Sequence, residues 1–446
     1  MGPAKHQRVY YKPLSESFMN NRRNFLQLGV LGMTGMTLSS FRCTSAAAEQ
    51  AKAKQAAATA DSVIFINLAG GPSHLDTLDM KPDGPSETRG EFQPISSAIP
   101  SLAICEHLPK LAKVIDRFTL LRGISHTAGA HPQGQSWIST GNRPTPAIIY
   151  PSFGSVVGKE LGGTPDLPPY VAIPVTEWNA GYMGDSFAPF KTNAIPKQGQ
   201  SFGVRGIALG AGLTIEKVNR RQQLLNRIDQ RFRDADTNSQ LLDALDEFGK
   251  QAHDMITSKR SREAFDVSLE PASIKDRFAD DELNQSCLLA CRLVEFGAKF
   301  ININNAGWDT HLDNFKGHVR LMGPLDNALP ALIAALKEKG LLDRTLVVAM
   351  GEFGRTPKIN VNTGRDHFPR ASWSLLAGGG VKAGQLIGAT NSAGDAPTDD
   401  TNISPDDIAA TIYSSLGIDP RTEYLTKTGR PVMLVPHGNV MSEVFG

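Results

Sequence analysis

The chain has 446 residues and carries 46 Lys and Arg against 45 Asp and Glu, which gives a formal net charge of +1. This balance provides no electrostatic preference for nucleic acid. With 40% hydrophobic and 20% charged residues, the composition is that of a globular protein with one large α/β domain or two smaller ones. It excludes wholesale disorder, a collagen-like chain and a protein with several membrane spans.

The first residues have the pattern of an export signal. Arg22-Arg23 is followed, after Asn24, by Phe25-Leu26 and by the moderately apolar stretch Leu28 to Phe41, which is too short to cross a bilayer. The paired arginines resemble a twin-arginine signal, and Ala46-Ala47-Ala48 offers a cleavage site. We therefore expect residues 1–48 to be removed, leaving a periplasmic or secreted chain 49–446 without an integral membrane span. An amphipathic N-terminal arm is the alternative.

Continuous apolar runs alternate with helical patterns through the rest of the chain. Strands are predicted over Val63 to Leu68, Phe118 to Ile124, Tyr170 to Val175, Phe300 to Asn304, Leu346 to Met350 and Ser374 to Ala377. Helices are predicted over Leu108 to Ile115, Phe153 to Leu161, Ile215 to about Phe265, Leu283 to Phe296 and Val319 to Lys339. Strands that are apolar throughout are buried on both faces. The pattern predicts a single α/β domain, a three-layer sandwich with a mainly parallel central sheet.

Two further segments refine this organisation. The region of about 215–280 is polar and rich in charge, which indicates a helical insertion on the sheet core. Ser404-Pro405-Asp406-Asp407 predicts the start of a last helix, and Gly417 predicts its end. The three cysteines after the signal, Cys105, Cys287 and Cys291, imply no disulfide framework.

The residues that suggest chemistry follow predicted strands, where open α/β sheets place their ligand sites. After the first strand, the turn Gly70-Gly71 precedes His74 and Asp76, two potential metal ligands. A simple strand-to-loop turn is the alternative reading. After the second strand, His126 and His131 stand near a predicted helix start and are candidate metal ligands, or one ligand and one group that orients it. A surface histidine pair is the alternative.

The segment after the Phe300 strand carries the sharpest local signal. Asp309 and His311 are two residues apart, so extended backbone would put a carboxylate and an imidazole on the same face, as a divalent ion requires. A hydrogen-bonded Asp–His pair without metal is the alternative.

The segment after the Leu346 strand adds further polar groups. Glu352 and Arg355 end that strand, and Arg365, Asp366 and His367 follow in the next loop. Together the histidines and carboxylates of these loops favour Zn²⁺, with Ca²⁺, Mn²⁺ or Fe as alternatives. The two arginines could neutralise an oxyanion such as phosphate or sulfate.

The order of segments from Val63 to Ile418 resembles the alkaline phosphatase and sulfatase superfamily, and more closely an uncharacterised bacterial family of exported sulfatase-like proteins. Three segments carry the resemblance: Ser139-Thr140-Gly141, Leu325 through Val348, and Asp407 through Ile418. It implies an alkaline phosphatase-like fold and a metal-dependent hydrolase of phosphate or sulfate esters. It also implies metal-ligand roles for Asp309, His311 and His367, and places Glu352 where an Asp ends the corresponding strand.

Two departures from the superfamily pattern alter the expected chemistry. The position ten residues before Gly141, where the superfamily has its nucleophile, holds His131, and no Cys-x-Pro-x-Arg signature is present. We therefore expect a metal-activated water in place of a covalent nucleophile. A phosphohistidine at His131 is the alternative.

The sequence as a whole predicts an exported metal-dependent ester hydrolase. Its expected metal ligands are drawn from His74, Asp76, Asp309, His311, Glu352, Asp366 and His367, and its catalytic groups from His131, Arg355 and Arg365. The substrate would be a small molecule or glycan bearing phosphate or sulfate. The alternative is a catalytically degenerate member that binds an anionic glycan or a surface partner. An exported oxidoreductase is a third class, but Gly70-Gly71-Pro72 is no dinucleotide fingerprint.

Overall fold

The computed structural model describes residues 57–200, 202–204, 207, 214–221, 223–224, 250, 252–398 and 402–445. The predicted export signal and its cleavage site lie outside the described residues, and so does most of the first half of the predicted helical insertion.

Short strands cover much of the chain on either side of that insertion. In chain order they are β1 Ser62–Ala69, β2 Pro94–Ser96, β3 Ala103–Cys105, β4 Thr119–Ile124, β5 Tyr170–Ile173, β6 Phe190–Lys191, β7 Phe300–Ala306, β8 Thr345–Met350, β9 Gly354–Arg355, β10 His367–Phe368, β11 Ser372–Ala377, β12 Leu386–Ile387, β13 Glu423–Leu425 and β14 Pro431–Met433. All six predicted strands are present. The remaining strands are two or three residues long, too short for an apolar run to reveal them in the sequence.

Eight of these strands form the central sheet, in the order β12-β4-β11-β8-β1-β7-β5-β6. All neighbours are parallel except that β11 runs antiparallel to both β4 and β8. The mainly parallel sheet predicted from the continuous apolar runs is therefore confirmed.

Both faces of the sheet are covered, which makes the architecture three-layered. Along β1, Ile64 and Leu68 join one buried apolar cluster while Val63 and Phe65 join another, because successive strand residues point to opposite faces. Burying side chains of this size contributes about 1.5–3 kcal/mol each relative to exposure. Both faces of the central strands thus depend on helices to exclude water.

The α-helices with described bounds are Ser86–Arg89, Pro109–Ala112, His131–Thr140, Phe153–Leu161, Lys259–Phe265, Ala272–Lys275, Glu282–Glu295, Asn314–Glu338 and Pro405–Ser415. Residues 215–221, 223–224, 250 and 252–257 are also helical, so the helix predicted over Ile215 to about Phe265 is present in part and is broken at Ser258. Glu282–Glu295 and Asn314–Glu338 pack on one face of the sheet, and Phe153–Leu161 and Pro405–Ser415 pack on the other. Short 3-10 turns occur at Ile115–Arg117, Gly181–Met183, Asp185–Phe187, Val267–Leu269, Leu342–Arg344 and Ser442–Val444.

The predicted start of the last helix is confirmed, whereas two other predicted helices differ from the observed ones in their bounds. Ser404 caps the last helix in a capping box with Asp407, as predicted. The predicted helix over Leu108 to Ile115 is only the short helix Pro109–Ala112 followed by a 3-10 turn. The predicted Val319 helix begins five residues earlier, at Asn314.

The helix Asn314–Glu338 is long and apolar enough to cross a membrane, the one such helix among the described residues. However, 61% of its apolar window is buried inside the protein, which is typical of a core helix.

Candidate metal centre

The sheet topology explains why residues far apart in the sequence meet at one edge. β1 lies between β7 and β8 and is parallel to both, so their carboxyl ends coincide. The loops after these strands carry Asp309 and Glu352. β4 and β8 are both antiparallel to β11, so the carboxyl end of β4 and the start of β11 lie at the same edge. His131 follows β4 and His367 precedes β11, which brings both to that edge.

Three of these residues form the candidate centre. His131, Asp309 and His367 offer ligand atoms that all lie within 4.8 Å of one another. The Nε2 of His131 lies 3.2 Å from Oδ2 of Asp309, and the Nε2 of His367 lies 3.2 Å from Oδ1. The Nε2 of His311 lies 2.9 Å from the Nε2 of His367 and 3.2 Å from Oδ1 of Asp309. Three imidazoles therefore present the same nitrogen to one carboxylate.

The second nitrogen of each ring is held by an acceptor. Nδ1 faces the carboxylate of Glu352 at 2.6 Å in His131, the carboxylate of Asp366 at 2.6 Å in His311, and the carbonyl of Gly129 at 2.8 Å in His367. An ionised carboxylate or a carbonyl oxygen can only accept, so each Nδ1 donates and each neutral ring keeps a lone pair on Nε2. Metal-binding histidines have this arrangement, in which the outer partner fixes the tautomer.

The donor set fits a divalent ion. Two imidazole lone pairs 2.9 Å apart, on His311 and His367, repel each other unless a proton or a cation lies near them. The buried Nε2 of His131 has no hydrogen-bond partner although it faces Asp309. Imidazole nitrogens combined with one carboxylate oxygen are a typical ligand set for Zn²⁺.

Ionisation of the centre is shaped by its neighbours. Burial alone would raise the pKa of Asp309, but the hydrogen bond from Arg355 and the positive charge of that guanidinium outweigh burial and lower the pKa to about 2. The hydrogen bond to Glu352 raises the pKa of His131, whereas burial lowers the pKa of His367. Asp309 is therefore an anion over the whole physiological range, available to a cation.

Glu352 and Asp366 lie behind the cluster as hydrogen-bond acceptors. Glu352 is buried and accepts from the backbone N–H of Gly70 at 2.9 Å, from Gln135 at 2.7 Å and from His131. Asp366 is exposed and holds His311. Both are predicted as ligands, and in the structure each carboxylate accepts a hydrogen bond from the Nδ1 of a histidine of the candidate centre.

Arg355 is fully buried, and each of its three guanidinium nitrogens donates a hydrogen bond. Its Nε donates to the carbonyl of Gly71 at 3.0 Å and its Nη1 to that of Arg365 at 3.2 Å. Its Nη2 donates to the carbonyl of Gly70 and, at 2.7 Å, to Asp309. The guanidinium therefore holds Asp309 in place, and its positive charge is paired with that carboxylate.

The structure does not bring Arg365, Asp76 or His74 to the cluster. Arg365 and Asp76 are fully buried and form a two-point ion pair, with N–O distances of 2.7 and 2.9 Å. Asp76 also accepts from Asn314 at 2.8 Å, which completes its partners. His74 is fully buried and its Nε2 donates to the carbonyl of Gly394 at 2.7 Å. The Asp76–Arg365 pair thus joins the loop after β1 to the loop between β9 and β10. His74 joins the loop after β1 to the segment that follows β12.

An open cleft of about 470 Å³ lies beside the centre. Its lining comprises Asn67, Ala69, Gly70, His131, Pro132, Gln135, Val175, Thr176, Glu177, Trp178, Asn304, Asp309 and Glu352. Sequence reasoning missed the carboxamides Asn67, Gln135 and Asn304. The available signal was a polar residue inside an apolar strand for Asn67, and a position one helical turn after His131 for Gln135.

Comparisons with known proteins place the chain in a family. No curated protein matches it significantly. Among solved structures it is similar to the lipoteichoic acid synthase LtaP from Listeria monocytogenes, with 11% identity, 85% of this chain and 75% of that chain covered, and a TM-score of 0.38. It is similar to the PsFucS1 sulfatase from Pseudoalteromonas sp., with 14% identity, coverage of 83% and 70%, and a TM-score of 0.38.

A third similar structure is the alkaline phosphatase from the Antarctic bacterium TAB5, with 10% identity, coverage of 81% and 99%, and a TM-score of 0.34. A family model described as a protein of unknown function (DUF1501) matches residues 60–445. Because this match spans most of the sequence, the chain belongs to the DUF1501 family.

Proposed function

We propose that the protein is an exported, metal-dependent hydrolase of phosphate or sulfate esters. The observation that carries the proposal is the convergence of three Nε2 atoms, from His131, His311 and His367, on the carboxylate of Asp309. These four residues would hold a divalent ion, with Zn²⁺ first and Ca²⁺ or Mn²⁺ as alternatives.

The charge of the surroundings supports a divalent cation. Asp309, Glu352 and Asp366 contribute three carboxylates within this network, and Arg355 is the one guanidinium that touches it among the described residues. The excess of two negative charges matches the charge of the ion. Because Glu352 is buried, its charge costs least when a cation lies nearby.

The roles of the individual residues follow from their contacts. Glu352 keeps the proton of His131 on Nδ1, and Asp366 does the same for His311. Arg355 keeps Asp309 ionised and directed at the histidines. The bound ion would supply Lewis-acid stabilisation of the ester oxygen and would lower the pKa of water toward 7.

The attacking group in the proposal is water. Of the described residues that line the cleft, Thr176 alone carries a hydroxyl, and that oxygen accepts a hydrogen bond from the backbone N–H of Trp178 at 3.2 Å. A covalent intermediate on a hydroxyl is therefore not part of the proposal, and the Nε2 of His131, the other potential nucleophile of the lining, is assigned to the ion.

Metal analysis tests the centre directly. Purified protein dialysed against excess Zn²⁺ should retain one equivalent by elemental analysis, and calorimetry should give a dissociation constant that His367→Ala and Asp309→Asn each weaken strongly. Glu352→Gln should weaken it by about 10–100-fold, as expected for loss of a partner behind a ligand. The exposed His437 supplies a matched control, since His437→Ala should leave zinc affinity unchanged. Full-length protein that binds no divalent metal would refute the proposal.

Turnover is tested separately. Chromogenic phosphate and sulfate esters, assayed with Zn²⁺, Mn²⁺ and Ca²⁺, should be hydrolysed by the wild type and by His437→Ala but not by His311→Ala. Metal binding with no turnover on any ester would favour the alternative of a non-catalytic binding protein.

Export has its own test. Cell fractionation should place the wild-type protein outside the cytoplasm, as the Arg22-Arg23 motif predicts. An Arg22→Lys, Arg23→Lys variant should accumulate inside the cell. Equal export of both proteins would contradict a twin-arginine route.

A further inference from the structure

Three carboxamide side chains that line the cleft, those of Asn67, Gln135 and Asn304, are linked by hydrogen bonds that fix their orientation. Gln135 must turn its Nε2 toward the carboxylate of Glu352, at 2.7 Å, so its Oε1 is left as an acceptor. Asn67 donates from Nδ2 to this oxygen at 2.8 Å and to Oδ1 of Asn304 at 3.1 Å. Rotating the Asn67 amide would place its oxygen against two other oxygens, so the chain of hydrogen bonds settles its orientation.

This orientation leaves one acceptor unused. The Oδ1 atom of Asn67 has almost no accessible surface and no hydrogen-bond partner among the described residues, so a ligand reaches it only after a small shift of the surrounding side chains. Asn67 as a residue is 5% exposed and lines the cleft. A buried acceptor without a partner costs about 1–3 kcal/mol. A hydroxyl or N–H of a ligand would satisfy it.

The charge of the cleft points in the same direction. Among the described residues that line it, none is Lys or Arg, whereas Glu177, Asp309 and Glu352 are acidic. Arg355, the guanidinium next to the centre, is already engaged by Asp309 and backbone carbonyls. The metal ion would balance one anionic group of a substrate, but no described side chain that lines the cleft can balance a second.

The remaining lining is partly apolar. Trp178 is half-buried and, with Pro132 and Val175, contributes a hydrocarbon surface to the wall. An aromatic face beside hydrogen-bonding carboxamides suits a ring with apolar C–H faces and polar edges.

We infer that the group carrying the ester is an uncharged, hydroxyl-bearing ring of the carbohydrate type, and that Asn67 selects it by accepting a hydrogen bond from one of its hydroxyls. This inference rests on the proposed hydrolase function and narrows its substrates. We expect polyanionic molecules to bind this cleft weakly, because Glu177 repels them and no described lining residue is a Lys or Arg that would balance a second negative charge. Sites built to hydrogen-bond a hydroxyl reject analogues that lack it by large factors.

The test compares matched substrates with metal-loaded full-length protein. Release of sulfate and phosphate is measured for the 2-O-esters of methyl glucoside, for those of methyl glucuronide, and for p-nitrophenyl sulfate and phosphate. We expect kcat/KM to be at least tenfold higher for the glucoside than for the glucuronide, which differs by a carboxylate. In Asn67→Leu, the ratio of kcat/KM on the glucoside to that on the p-nitrophenyl ester should fall about 100-fold. The exposed Asn439 supplies the control, since Asn439→Leu should leave this ratio unchanged.

A second variant keeps the test informative if Asn67→Leu fails to fold. Glu177 is exposed, so Glu177→Lys should fold normally, and it should raise kcat/KM on the glucuronide relative to the glucoside about tenfold. Equal or better hydrolysis of the glucuronide by the wild type, or an unchanged ratio in both variants, would overturn the inference. Zinc binding and p-nitrophenyl ester turnover would in that case still support the hydrolase.

If no ester is hydrolysed, equilibrium binding decides the question. Saturation-transfer NMR should detect methyl glucoside but not methyl glucuronide on the wild type, and Glu177→Lys should gain glucuronide binding. Absence of glucoside binding would refute the inference independently of catalysis.

Discussion

Replacing Asp76 by Asn removes one charge from a fully buried ion pair and distinguishes a structural carboxylate from a metal ligand. In the wild type, the carboxylate accepts two hydrogen bonds from Arg365, at 2.7 and 2.9 Å, and one from Asn314 at 2.8 Å. An Asn side chain offers a single acceptor oxygen, and its NH2 group would face a guanidinium donor. Arg365 would keep its carbonyl partners but would lose its counter-charge.

The expected destabilisation follows from the depth of the pair. Both side chains are 0% exposed, so solvent cannot replace the lost charge. Breaking a buried pair from one side costs about 3–5 kcal/mol, far more than loss of a surface pair. The Asp76 carboxylate forms no hydrogen bond with Asp309, His131, His311 or His367. Zinc affinity of the folded variant should therefore stay within about threefold of the wild type.

Urea denaturation followed by circular dichroism, in the presence of chelator, measures the free energy of unfolding, and calorimetry measures zinc affinity. The double variant Asp76→Asn, Arg365→Met should recover part of the stability, because it removes the unpaired charge. A large loss of zinc affinity with unchanged stability would show instead that Asp76 is a ligand, as the sequence suggested.

Three further outcomes are expected. Burial lowers the pKa of His318 to about 4, below the unfolded value of 6.5, so the unfolded chain takes up more protons between these values and stability falls as pH decreases from 6.5. This group alone should cost about 2 kcal/mol between pH 7 and 5, measured by urea unfolding, and His318→Gln should reduce the slope; a pH-independent stability would refute it. Zinc at 100 times its dissociation constant should stabilise the wild type by about 2.7 kcal/mol in thermal or urea unfolding, and the effect should disappear with chelator and in His367→Ala. Gly364→Ala would place a Cβ 1.8 Å from the backbone oxygen of His311, so the backbone of this proposed ligand must shift. Zinc affinity should therefore fall about 10–100-fold. Gly323→Ala is the matched control, because nothing lies within 4 Å of its Cβ, and unchanged zinc affinity in both variants would contradict the argument.

The central strands could be predicted because their burial on both faces leaves a continuous apolar run, as in β1 and β8. Edge strands such as β6 and β12 contain two residues each, so they have no periodicity to detect. The break after Pro109–Ala112 was also hidden, since its apolar spacing continues into the following turn.

The residue types of the candidate centre could be read from the sequence, but their roles required the topology. Strand-end loops yielded Asp309, His311 and His367 as one group. The same rule also selected Asp76 and Arg365, because a sequence does not reveal whether a carboxylate faces the cleft or an arginine beneath it. His131 was a candidate ligand from its place after the second strand and a catalytic candidate from its distance to Gly141, and its contacts with Glu352 and Asp309 favour the first role.

The dispersed origin of the three histidines has a consequence for biogenesis. His131 stands at the start of a helix after β4, whereas His367 lies just before β11, and the acceptors of their Nδ1 atoms, Glu352 and Gly129, come from each other's neighbourhoods in the sequence. A growing chain cannot assemble such a site until β4, early in the sequence, has docked beside β11, which is synthesised much later. Ion binding would therefore require that β4, β7, β8 and β11 have already docked. An export system that accepted only metal-loaded chains would select chains in which these strands are in place.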